Sequence, residues 1–140
     1  MKPRSVAYLV TTALVVVVFV GSGVANLLRL DHIAQDMLRL GYPPYFMSVL
    51  GTWKVLGALV VALPNLPRLK EWAYAGMCFD LTGAAASRAA SHDVAVSVVV
   101  PLALAAVVLV SWRLRPAQRV LDRALSARDD AASYLYPGRR

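Results

Sequence analysis

The segment "LGTWKVLGALVV", Leu50 to Val61, sets a lysine in the middle of an apolar run. An ammonium taken out of water without a partner costs on the order of several kcal/mol, so Lys54 needs a counter-charge, a pocket or a task. Lys54 stands eight residues from Phe46 and nine from Leu63. At ~1.5 Å per helical residue, that is ~12 Å or more from either end of the apolar stretch. A lysine at that depth makes sense only within a helical assembly that shields it.

The rest of the chain supplies such an assembly. Of its 140 residues, 59% are hydrophobic, well above the ~45–50% apolar share of an average soluble domain. Four apolar stretches, at about 6–28, 46–63, 72–90 and 94–112, each approach the ~20 residues that an α-helix needs to cross a bilayer. Backbone groups in hydrocarbon must satisfy one another, so helices are expected despite the abundance of valine. The expected fold is all-α: an antiparallel four-helix transmembrane bundle over residues 1–112, followed by a basic tail over 113–140. The uninterrupted run from Val6 to Val20 is long for a secretory signal core, so a retained first helix is expected.

The formal charge of +7 suits an anionic leaflet better than nucleic acid, because the basic residues flank apolar segments instead of forming a motif. Lys2, Arg4, Arg68, Lys70 and the arginines from Arg113 onward fall on one side of a four-span topology; Arg29, Arg39 and Arg88 fall on the other. The positive-inside rule therefore places both termini in the cytoplasm of a multi-pass cell-membrane protein.

The connections carry their own signals. In "PNLPRLKE", Pro64 and Pro67 are expected to stop the second span, with Trp72 at the interface. Asp93 is placed to cap the fourth span, and Pro101 to kink it. Between the first two spans, Leu30, Ile33, Ala34, Met37 and Leu38 recur at helical spacing opposite Asp31, His32, Gln35, Asp36 and Arg39. This predicts an amphipathic helix, ended by Gly41, that lies on the outer membrane surface as a connector or folds over the bundle mouth as a lid. Ala117, Val120, Leu121, Ala124 and Leu125 predict a second, cytoplasmic one in the tail.

The partner of Lys54 follows from depth. Asp80 lies eight residues from both Trp72 and Arg88, and a short turn makes the second and third spans antiparallel neighbours. Two opposite charges at matching depth predict an ion pair inside the bundle. Gly51 and Gly57 beside Lys54, and Gly76 and Gly83 beside Asp80, are the expected close-packing positions. Trp53, Asn26, Ser87, Tyr42 and Tyr45 are candidates to surround the pair, either as a register lock or as a polar site for a quinone, a lipid or a partner helix. No catalytic residue is assigned. His32 and His92 lack the spacing of a zinc or haem site, and no metal site is expected. Cys78, the one cysteine, reads as a small core residue.

From Leu40 to Asp93, the Gly41-Tyr42-Pro43 lead into the second span, the Gly51 to Gly57 stretch with Trp53 and Lys54, "PRLKEWAYAG" from Pro67 to Gly76, and Asp80 to Ala84 resemble the DoxX-like family of small four-helix membrane proteins. Many relatives carry a histidine directly after the serine, where this chain has Arg88 after Ser87, so a role for that histidine does not transfer. The resemblance implies one of two functions. The first is a non-catalytic, quinone-linked subunit of an oxidoreductase complex, with no intrinsic cofactor and with any electron-transfer centre on another polypeptide. The second is an assembly factor or chaperone that recognises transmembrane helices of partner proteins. Homo-oligomerisation is open on either reading.

Overall fold

The computed structural model describes residues 3–115. They form five α-helices: α1 (Pro3–Leu27), α2 (Asp31–Arg39), α3 (Pro44–Ala62), α4 (Pro67–Ala90) and α5 (Ala95–Leu114). The predicted helix in the tail lies outside the described residues. Three helices, α1, α3 and α5, are long and apolar enough to cross a membrane. Helix α4 is longer than α3 or α5, at 24 residues, but its charged residues Arg68, Lys70, Glu71, Asp80 and Arg88 leave it less apolar than those three.

Three helix ends use the same device. At α2, the amide of Tyr42 donates to Met37 O at 2.9 Å and that of Gly41 to Leu38 O at 3.0 Å. Gly41 takes the left-handed φ of +86° that this cap requires, as Schellman geometry demands. Helices α1 and α4 close in the same way with Arg29 at φ +49° and His92 at φ +56° in the glycine's place. The α4 cap corrects the role expected of Asp93. Its amide belongs to the cap, donating to Arg88 O at 3.0 Å, and the N-cap of α5 is Val94, without a side-chain bond.

A second correction concerns Pro67. It stands in the first turn of α4 and starts that helix, since a missing N–H costs nothing at that position. Helix α4 therefore begins five residues before the expected boundary at Trp72, and Lys70, expected in the turn between the second and third spans, lies in the helix and is fully buried.

Helix α1 packs most closely on α3, and α4 on α5, while the seam between the sequential neighbours α3 and α4 is looser. The α1–α3 crossing is made by two glycines. A Cβ on Gly51 would lie 2.7 Å from Gly23 O, and one on Gly23 would lie 3.1 Å from the Cβ of Lys54. Gly57 faces Met77 at ordinary contact distance, whereas Gly76 and Gly83 meet nothing within 4 Å. Among the described residues, a Cβ added at Gly76 or Gly83 would enter open space. The apolar core joins Val15 and Phe19 of α1, Ala58 and Val61 of α3, Tyr74, Met77 and Leu81 of α4, and Ala105 and Val108 of α5. Pro101 is buried within α5, which continues through it.

Candidate functional site

The looseness of the α3–α4 seam creates a cavity of about 460 Å³. Lys54 and Asp80 both line it, with Lys54 Nζ 3.5 Å from Asp80 Oδ2 and each side chain 17% exposed. The expected ion pair is present. It is not sealed between close-set helices, because it forms part of the cavity wall. Phe19 of α1 and Met77 of α4, both buried, also line the cavity. Trp53 and Trp72 border it too, and both are largely exposed, Trp72 at 81%.

An ammonium beside a carboxylate in an apolar wall offers a donor and an acceptor to one ligand atom group. The volume lies within the ~300–1,000 Å³ of small-molecule sites, which combine apolar walls with few polar groups. Of the other sequence-predicted residues, Gly57 and Gly76 line the cavity; Asn26, Tyr42, Tyr45 and Ser87 do not. Asn26 is buried in α1 and Tyr45 is exposed. Tyr42 stacks on Phe46, with centroids 4.9 Å apart, and its hydroxyl bonds to that of Ser87. That bond ties the start of α3 to the end of α4.

Four charges strengthen the same end. Arg39 makes two bonds to Asp93, at 2.5 and 3.0 Å, and one to Asp36 at 2.8 Å. Arg88 bonds Asp36 at 2.5 Å and Asp93 at 3.0 Å. The resulting square clamps α2, which has no buried residue of its own, onto α4 and the α4–α5 loop. Hydrogen bonds from Arg39 foremost hold the Asp36 and Asp93 carboxyls below the ordinary carboxylate range; burial, the next largest effect, opposes them, and hydrogen bonds from Arg88 add to the lowering. Asp93 in turn raises the affinity of Arg39 for its proton. A lowered folded-state pKa contributes stability above the unfolded value and loses it as pH falls through the folded one. The protection of α2 amides, taken relative to their intrinsic exchange rate at each pH, should therefore fall below about pH 4. Asp93→Asn should raise exchange several-fold already at neutral pH, as read by hydrogen–deuterium exchange mass spectrometry.

A polar cluster that the sequence reading missed fills the other end of the bundle. The Ser111 hydroxyl bonds Thr12 Oγ1 at 2.8 Å and Tyr74 OH at 3.0 Å. Arg115 donates to Glu71 at 2.6 Å and lies over the Tyr74 ring, 5.2 Å from its centroid. Trp112 Nε1 donates to Glu71 at 2.8 Å, and Lys70 donates to the carbonyl of Val61. Val61 O is one of the last four carbonyls of α3, which no backbone amide of that helix can reach. Thr12 and Ser111 were legible as polar breaks in apolar runs, but nothing in the pattern paired them. Among the described residues, no group of histidines, cysteines and carboxylates could hold a metal ion.

No curated protein and no solved structure matches the chain. The profile of the DoxX-like family matches residues 10–111, a span that includes both cavity-forming helices, the ion pair and the clamp. The chain belongs to the DoxX-like family, and its apolar helices mark it as an integral membrane protein.

Proposed function

We propose that this chain is a non-catalytic, quinone-linked membrane subunit of a redox system, and that the α3–α4 cavity holds the quinone ring. The observation that carries this reading is the position of Lys54 and Asp80, side by side in the wall of a ligand-sized apolar cavity. A quinone oxygen is a carbonyl in one oxidation state and a hydroxyl in the other. Lys54 donates to the first and Asp80 accepts from the second. Electrons come from a partner polypeptide.

All four long helices cross the bilayer on this reading. Helix α4 is long enough, and its three charges beyond the first turn have protein partners: Asp80 pairs with Lys54, Glu71 with Arg115, and Arg88 with Asp36 and Asp93. The termini and the α3–α4 turn lie in the cytoplasm, on the side rich in arginine and lysine.

Lipid extraction of the detergent-purified chain, followed by mass spectrometry, tests the proposal. Quinone should copurify near stoichiometrically and fall to background in Lys54→Met. Equal quinone in both preparations contradicts the site. The assembly-factor reading draws on the open Gly76 and Gly83 positions of α4, which let another helix approach closely. It would be favoured by crosslinks from α4 to unrelated membrane proteins in a preparation free of quinone.

A further inference from the structure

The two helices that form the cavity are tied together beyond both of its ends, and its flank is exposed. Toward the outer end, Tyr42 is bonded to Ser87, and the Arg39, Arg88, Asp36 and Asp93 square ties α2 to the end of α4. Toward the other end, the short α3–α4 turn and the Lys70 bond to Val61 O join the helices. Phe19, 3% exposed, stands behind. The exposed flank carries Trp53, Leu56, Leu69 and Trp72, residues suited to hydrocarbon and to its interface.

Along α4 this flank extends away from the ion pair. Trp72 lies eight residues before Asp80, about 12 Å along the axis at the helical rise. A ligand whose polar head rests on Lys54 and Asp80 can reach Trp72 only with an apolar body of about that length. Trp53 flanks the head and Trp72 the tail.

We infer that the cavity is loaded sideways from the bilayer, that its ligand is an amphiphile with an oxygen-bearing head and an apolar tail, and that Trp72 is a positioning residue for the tail. This rests on the binding reading above and adds to it a tail requirement and a residue that reads it. A tail packed on an indole gains burial that a head alone does not.

Two probes test the inference on the full chain in phosphatidylcholine vesicles: a benzoquinone bearing a decyl chain and the same ring bearing a methyl group, both dosed per mole of lipid. Trp112→Phe removes the one tryptophan outside the cavity, and quenching of Trp53 and Trp72 reports binding. The decyl probe should saturate, and Trp72→Ala should weaken it about tenfold or more, a loss of one decade in Kd. The methyl probe should bind equally with and without Trp72, and Trp72→Phe should restore most of the decyl affinity. Lys54→Met should abolish saturation by both. An unchanged decyl affinity in Trp72→Ala, or an equal loss for both probes, overturns the tail-positioning role and leaves the binding reading intact. Absence of saturable quenching by either probe in the parent chain overturns both.

Discussion

Asp80→Ala should destabilise the detergent-solubilised chain more than the double change Lys54→Met with Asp80→Leu. Removing the carboxylate alone strands the Lys54 ammonium in an apolar wall. Breaking one half of a buried pair typically costs ~3–5 kcal/mol, whereas replacing both charges by apolar groups of similar volume is near neutral. Because each side chain keeps 17% exposure, the single change should fall toward the lower end of that range. A thermal-melting series should therefore rank the parent and the double variant together, with Asp80→Ala several degrees below. If the double variant melts lowest, the two charges do not act as a pair.

Gly51→Leu should have a comparable effect for a steric reason. The added Cβ falls 2.7 Å from the carbonyl oxygen of Gly23 and 2.8 Å from Leu27 Cγ, and the first of these is backbone that cannot turn aside. Helices α1 and α3 would have to part, and overpacking of that kind costs ~1–3 kcal/mol or more. The change also disturbs Lys54, whose Cβ abuts Gly23 at the same crossing. Quinone retention should thus fall together with melting temperature. Gly83→Ala should be neutral or slightly stabilising, since nothing lies near it and alanine favours a helix by ~1 kcal/mol over glycine. A destabilising Gly83→Ala beside a harmless Gly51→Leu would contradict the helix pairing described here.

These two variants also mark what the sequence reveals and what it hides. Lys54 and Asp80 were legible as partners because depth within an apolar run and a short connecting turn are both countable along the chain. The amphipathic spacing after Leu30 placed a helix where α2 stands, and Gly41 ended it as expected. Small residues announce a close approach without naming the neighbour. Gly51 serves the α1–α3 crossing, while Gly76 and Gly83, equally promising by spacing, face open space. Pro67 was ambiguous in the same way, because proline both ends one helix and opens the next. Reading it as a stop hid the inward turn of Lys70 and the cluster around Ser111. The cavity itself had no signature in the sequence, since it arises from how loosely two neighbouring helices meet.

Lys70 shows why the buried cations are distributed as they are. Its bond to Val61 O satisfies a helix-terminal carbonyl, and Arg115 is held by Glu71 and two aromatic rings. Lys54 has one carboxylate at 3.5 Å and an adjoining void. Of these three cations, Lys54 is the one that lines the α3–α4 cavity, which is why the ligand site is assigned to it.

The most direct test of that assignment is the environment of position 76, on the cavity wall next to the pair. In a Cys78→Ser background, Gly76→Cys carries a nitroxide spin label, and the chain is reconstituted in vesicles for power-saturation electron paramagnetic resonance. A cavity open to lipid predicts high accessibility to oxygen and low accessibility to a water-soluble nickel chelate, with the oxygen effect reduced by the decyl quinone. Low accessibility to both reagents, or high accessibility to the nickel chelate, would contradict it.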